Sequence, residues 1–174
     1  MTKGRAATGE QAVRAVVTGI DMVWSLKEQG YGLCATGEMG IGNTTTSSAV
    51  ASVLLDCPAE NVTGRGAGLS SEGLVRKIHA IKKAIQVNAP DPGDILDVIA
   101  KVGGLDIAGM MGSCIGAAAA RVPVVRDGFI SSVAALSAVR LAPACRAYLF
   151  PSPCSAEPAG KMVLVALGMV AVNH

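Results

Sequence analysis

The amino-acid sequence predicts an α/β fold with a mainly parallel sheet, and three observations lead to this prediction. Segments with apolar residues at helical spacing alternate with short apolar runs that favour strands, an order typical of parallel strands joined by helices. Hydrophobic residues make up 51% of the 174 residues and charged residues only 16%, so a core can form and a mainly disordered chain is excluded. The length fits one domain over residues 1–174.

Each element is predicted from a local pattern. Helices are placed where apolar residues recur every three or four positions, and strands where a short apolar run lies between turn residues. Gly30 and the pair Gly103 and Gly104 end two of the helices. In chain order, the predicted elements are a helix at 10–29, a strand at 31–36, a glycine-rich loop at 37–43, a helix at 44–55, a second glycine loop at 63–68, helices at 70–87, 91–100 and 106–120, a strand at 122–125, a helix at 130–141, a strand at 147–150, a loop at 152–160 and a helix from 161 onward.

Two helices carry further information. The helix at 70–87 places Leu74, Ile78, Ile81 and Ile85 on one stripe, which we expect to face the core. The longest apolar run of the chain consists mainly of alanine, glycine and other small residues, and it is shorter than the roughly 20 residues that a membrane span needs. It therefore predicts a buried helix that packs closely against its neighbours.

Composition argues against several classes of function. A net charge of +2 and an aromatic content of 3% do not favour a nucleic-acid partner, and no apolar segment of a secretory signal follows the N-terminus. The five cysteines are odd in number and lack CxxC spacing, which favours a reduced, cytoplasmic chain. The two histidines, His79 and His174, are far apart in sequence, so we expect no zinc site.

The segment TGEMGIGNTTT at residues 36–46 is the strongest candidate for a binding site. A strand runs into glycines and a helix then opens, with Asn43 or Thr44 as its cap. Glycines let backbone N–H groups approach an anion, and the helix N-terminus adds partial positive charge. The pattern is that of a phosphate-binding loop, and an ordinary tight turn before a threonine-capped helix fits equally well. Glu38 either accepts hydrogen bonds from ribose hydroxyls or is a solvated loop residue.

Other candidate residues follow the second glycine loop and the last two strands. Lys77 is one of several basic residues on its helix; a solvated position is the usual interpretation, and contact with a bound phosphate is the alternative. Asp127 follows the strand at 122–125, where open α/β sheets bind ligands, or else caps the next helix. The polar loop that begins at Ser155 either faces the same crevice or is an ordinary turn.

Taken together, the motifs resemble the nicotinate-nucleotide–dimethylbenzimidazole phosphoribosyltransferase family, which makes the lower-ligand nucleotide of cobalamin. Each motif alone is weak, and their order along nearly the whole chain is specific. The matching segments are residues 37–46, 63–68, 103–109, 116–125, 127–130 and 155–158.

The resemblance implies a Rossmann-like three-layer fold, in which residues 1–174 are the central part of the family's large domain, and a homodimer. It implies transfer of 5-phosphoribosyl from nicotinate mononucleotide to 5,6-dimethylbenzimidazole, without a metal or other cofactor and without a nucleic-acid or membrane partner. By the match, Glu38 lies near the reacting nucleotide as the carboxylate of the catalytic site. The residues expected to bind substrate or its phosphate are Gly40, Ile41, Gly42, Asn43, Thr44, Lys77, Asp127 and Ser155.

The resemblance also predicts departures from the family pattern. We expect the chain to lack the N-terminal segment that contributes to the benzimidazole pocket, and to stop at His174 before the glutamate that the family uses as general base. Pro153 and Cys154 stand where the family usually has a histidine. A nucleotide-binding module without the general base is therefore the alternative to an active transferase.

Overall fold

Helices alternate with three short strands in the computed structural model, which describes residues 1–152, 155 and 157–170. The α/β prediction is thereby confirmed. The elements are α1 (Gly9–Glu28), β1 (Cys34–Thr36), α2 (Thr44–Leu54), α3 (Ala59–Val62), α4 (Ser71–Asn88), α5 (Ile95–Val102), α6 (Leu105–Ala120), β2 (Val124–Arg126), α7 (Gly128–Leu141), a 3₁₀ helix (Pro143–Tyr148), β3 (Leu149–Pro151) and α8 (Ala159–Ala166).

The three strands form a parallel sheet in the order β1-β2-β3. Thr36 is in register with Arg126, and Arg126 with Pro151, so the carboxyl ends of all three strands lie at one edge. The alignment continues for one residue beyond the strands, since the Asp127 amide donates to the Thr36 carbonyl at 2.8 Å. The loops that follow the three strands therefore leave the sheet side by side.

Side chains at the helix starts satisfy amide groups that the helices themselves leave without partners. Ser70 precedes α4, and its hydroxyl accepts from the Gly73 amide at 3.1 Å. Asp94 precedes α5, and its carboxylate accepts from the amides of Leu96 and Asp97 at 3.0 and 3.1 Å. Such caps typically stabilise a helix by about 1 kcal/mol each.

Helices α1 and α6 lie backbone to backbone, as the small residues of α6 predict. A Cβ atom added at Gly112 would lie 2.0 Å from the Val16 carbonyl oxygen, and one at Gly116 would lie 2.8 Å from the Ile20 Cα atom. Only glycine leaves room for this approach. Val16 and the α6 residues Met111 and Cys114 are thereby buried in one core.

Several predicted boundaries are wrong, for local reasons. Residues 31–33 are exposed and precede the paired part of β1, and the third strand begins only at Leu149 because a 3₁₀ helix occupies Pro143–Tyr148. This 3₁₀ helix and the four-residue α3 have too few turns to show a periodic apolar pattern. No helix among the described residues has the length and apolar character to cross a membrane.

Candidate functional site

A cavity of about 250 Å³ lies beyond the carboxyl edge of the sheet, where open α/β sheets bind ligands. Its walls come from the loop after β1, the glycine loop at 63–68, the start of α7 and the loop after β3. Four of the predicted site residues are among those that line it. The lining residues are Glu38, Met39, Gly40, Thr44, Gly66, Ala67, Phe129, Ile130, Ser155 and Glu157.

The loop after β1 closes around the Glu38 carboxylate. Glu38 Oε2 accepts from the Gly40 amide and from Asn43 Nδ2, both at 2.6 Å. Gly40 and Gly42 have φ angles of +72° and +82°, which side chains rarely adopt. Although Glu38 is exposed, its carboxylate is therefore held in place by the loop that carries it.

Asn43 connects this loop to α6. Its Nδ2 also donates to Asp106 Oδ2 at 2.8 Å, so one amide group bridges two carboxylates. Asn43 is the residue before α2, as predicted, but its side chain makes no capping hydrogen bond. Asp106 was not among the predicted site residues, because the signal was only one polar residue in the segment GGLDIAG.

Lys77 is buried, and the prediction from pattern alone that it is solvated is wrong. Its ammonium donates to Thr44 Oγ1 and to the Gly64 carbonyl, both at 2.9 Å. The buried face of α4 includes Gly73, Lys77 and Ile81, which are spaced four residues apart. The buried face of α4 is therefore shifted by about one residue from the apolar stripe that the sequence predicted.

The charge of Lys77 is opposed by burial and favoured by a carboxylate. Burial lowers the pKa of the Lys77 ammonium below its usual value, and the negative charge of Glu157 partly offsets this effect. The ammonium also lies close to the second glycine loop, since a Cβ at Gly66 would be 3.7 Å from Nζ. A cation of this kind, held just behind the lining residues Thr44 and Gly66, suits a phosphate ligand.

Glu157 holds the second glycine loop against the loop after β3. Its Oε1 accepts from the Gly66 amide at 3.0 Å, and a Cβ at Gly64 would lie only 1.9 Å from its Oε2. The Glu157 amide in turn donates to Ser155 Oγ at 3.3 Å. Ser155 and Glu157 therefore face the crevice, whereas an ordinary exposed turn was the alternative.

Lys77, Asn43 and the remaining predicted residues lie outside the cavity lining. Asp127 is the residue before α7, but its carboxylate accepts from the Ser152 hydroxyl at 2.8 Å and makes no capping bond. Ile41 is 78% exposed, and Gly42 also faces outward. His79 lies on the exposed face of α4.

Three positions named in the sequence analysis, Pro153, Cys154 and His174, lie outside the described residues. Within the part of the chain that the structure describes, no group of three or more histidine, cysteine, aspartate or glutamate side chains could hold a metal ion.

Comparison with known proteins gives one consistent match. The family model described as "Phosphoribosyltransferase" matches residues 1–174. A protein of Acetivibrio thermocellus named nicotinate-nucleotide–dimethylbenzimidazole phosphoribosyltransferase is 56% identical over 168 residues, which are 97% of this chain and 48% of that protein. A protein of the same name from Alkaliphilus metalliredigens is 51% identical over 174 residues, 100% of this chain and 50% of that protein.

Solved structures agree with the sequence comparison. The crystal structure of CobT from Thermus thermophilus has a TM-score of 0.93 and 38% identity, covering 99% of this chain and 51% of that chain. The chain thus spans about half the length of the relatives it matches.

Proposed function

The chain belongs to the phosphoribosyltransferase family whose model matches residues 1–174, and from this premise we propose that it forms the nucleotide-binding domain of a transferase. The reaction moves 5-phosphoribosyl from nicotinate mononucleotide to 5,6-dimethylbenzimidazole and gives α-ribazole 5′-phosphate and nicotinate. One observation carries the proposal. Two carboxylates, Glu38 and Glu157, line one cavity beyond the carboxyl edge of a parallel sheet, and the buried Lys77 ammonium donates to Thr44, which also lines that cavity.

The phosphate of the nucleotide binds between Lys77 and the start of α2 in this proposal. The amides of the first helical residues have no partner within a helix and point toward its N-terminus. Thr44 Oγ1 already accepts from Lys77, so its own hydroxyl proton remains to be donated to a phosphate oxygen. The Gly40 amide has a different role, since it holds the Glu38 carboxylate.

The carboxylates suit the chemistry at the sugar. A benzimidazole nitrogen attacks the anomeric carbon while nicotinate leaves, and the ribose develops positive charge in the transition state. Negative groups fixed in advance near that charge stabilise it without reorganisation. Glu38 is fixed by Gly40 and Asn43, and Glu157 by the Gly66 amide. Anchoring the phosphate at the far end orients the anomeric carbon.

We further propose a cytoplasmic homodimer. Cys34, Cys57, Cys114 and Cys145 are free thiols, which supports a reducing compartment. Exposed apolar side chains on α1, among them Trp24 at 40% exposure, offer a surface for a second copy. Light scattering of the purified chain would give twice the monomer mass.

A product assay tests the proposed reaction. Purified chain is mixed with nicotinate mononucleotide and 5,6-dimethylbenzimidazole, and α-ribazole phosphate and nicotinate are sought by chromatography and mass spectrometry. Lys77→Ala should abolish product, whereas Lys83→Ala, an exposed lysine on the same helix, should not. Nucleotide binding without any product would instead favour a binding module, and absence of both would refute the proposed function.

A further inference from the structure

We propose that Asp106 is a positioning residue of the nucleotide site, an inference that rests on the proposed function. It acts through Asn43, which it holds in the one orientation that fixes the Glu38 carboxylate beside the cavity. The supporting geometry is a continuous chain of hydrogen bonds from Asp106 to Asn43 and on to Glu38, with donor–acceptor distances of 2.8 and 2.6 Å.

The number of N–H groups on the Asn43 amide determines how its side chain is oriented between the two carboxylates. The Asn43 side-chain nitrogen carries two N–H groups, and each carboxylate takes one of them. Because ionised carboxylates only accept, the amide nitrogen and not its oxygen must face them. The Asn43 oxygen is buried and receives no hydrogen bond from any described residue, so the contacts that favour this orientation of the side chain are the two with the carboxylates.

Asp106 lies on a helix, which is the more rigid of the two segments that this hydrogen bond joins. It lies in the first turn of α6, whose following residues Ile107 and Ala108 are fully buried. A Cβ at Gly104 would lie 2.3 Å from Asp106 Oδ1, so the carboxylate occupies space that only glycine leaves open. The Asp106 carboxylate therefore lies directly against the Gly104 backbone.

The loop at 37–43 is the side that needs support. All residues of this loop are exposed or half-buried. Exposed loops with few apolar contacts open at low free-energy cost. A hydrogen bond to a rigid helix therefore keeps Glu38 where a bound nucleotide would meet it.

An alternative role for Asp106 is purely structural. An acidic residue in the first turn of a helix stabilises that helix through its dipole. Glu72 in the first turn of α4 provides a matched control, because it is exposed and its partner is the surface residue Arg76 at 3.7 Å. A dipole effect would alter thermal stability similarly in Asp106→Ala and Glu72→Ala, without any effect on the loop.

The test measures the loop and the ligand separately. Exchange of the two Asn43 side-chain amide protons with water is followed by NMR, and the affinity for nicotinate mononucleotide by calorimetry. Asp106→Ala should speed exchange of one proton about tenfold and weaken binding about tenfold, as expected for one lost hydrogen bond to a charged group. Asp106→Asn should stay within about threefold of the unaltered chain, because its amide oxygen can accept the same hydrogen bond. Glu72→Ala should change neither quantity.

The outcomes separate this inference from the proposed function. Unchanged Asn43 exchange in Asp106→Ala overturns the positioning role, whatever the affinity. Faster exchange with unchanged affinity also overturns it, since the loop would then not matter for the nucleotide. If the unaltered chain does not bind nicotinate mononucleotide but exchange still responds, the loop contact is supported and the proposed function fails. Should Asp106→Ala not fold, Asp106→Leu and Asp106→Asn are compared by the same exchange measurement.

Discussion

Substituting Gly64 by alanine should weaken nucleotide binding without adding any group to the cavity lining. The new methyl carbon would lie 1.9 Å from Glu157 Oε2 and 2.7 Å from a Pro158 ring carbon. A comfortable contact needs about 3.5 Å, so the Glu157 carboxylate or the glycine loop must move by roughly 1.6 Å. Half of that movement, if it separates Glu157 from the Gly66 amide, is enough to break the 3.0 Å hydrogen bond between them.

The magnitude follows from this lost hydrogen bond. A hydrogen bond to a charged group contributes roughly 1.5–3 kcal/mol, which corresponds to about a 10- to 150-fold change in an equilibrium constant. The loop also carries the carbonyl that accepts from Lys77. Displacing the loop therefore also moves Lys77, the residue proposed to bind the phosphate. We expect the Kd of nicotinate mononucleotide to rise at least about tenfold by calorimetry.

Gly9→Ala is the matched control for Gly64→Ala. A Cβ at Gly9 meets nothing within 4 Å, and the residue lies at the start of α1, away from the cavity. This control should bind as the unaltered chain does and be slightly more stable, because alanine favours a helix. Equal affinity in Gly64→Ala would refute the reasoning that Glu157 and the second glycine loop act as one unit.

Three further predictions concern charge and packing. Glu157→Gln keeps the shape of the side chain but removes its charge, so the pKa of Lys77 should fall further and the loss of nucleotide affinity at high pH should begin at a lower pH, measured as Kd against pH. Because the Lys77 pKa in the folded chain lies below its ordinary value of 10.5, its contribution to the free energy of unfolding should rise with pH between those two values, and Lys77→Met should remove this dependence in denaturant titrations. Gly112→Ala should lower the free energy of unfolding by about 3 kcal/mol, because its methyl would lie 2.0 Å from the Val16 carbonyl oxygen. Gly109→Ala, on the same helix but 3.9 Å from the nearest atom, should stabilise the chain by about 0.5–1 kcal/mol, and equal effects of the two changes would contradict the packing argument.

The sequence predicted the order of the main elements because their patterns are local. Helices such as α1 and α6 contain several turns, and their apolar residues recur often enough to be recognised. The strands have three residues each, too few for an alternating pattern, so their boundaries depend on which residues find a partner in the sheet. Residues 31–33 look apolar in part but remain outside the pairing.

The site was predictable in part. The glycine loop that carries Glu38 and Thr44 is continuous in sequence, whereas the contacts of Lys77 and Glu157 are not. Glu157 accepts from the Gly66 amide, which lies 91 positions away in the sequence. A local sequence pattern cannot predict a contact between residues so far apart in the chain. Lys77 was misjudged because a lysine is rarely buried, although its spacing of four residues from Ile81 placed it on the buried face.

The contact between α1 and α6 has a consequence for the chain during its synthesis. Lys27 on α1 donates to the carbonyl of Ala120 at the end of α6, 93 positions later. At roughly 5–20 residues per second, a ribosome needs about 5–20 s to make the intervening chain. During that time Val16 and Val23, both buried in the folded chain, lack the cover of α6. We therefore expect the nascent chain to be most prone to aggregation, and most accessible to a chaperone, before α6 has emerged.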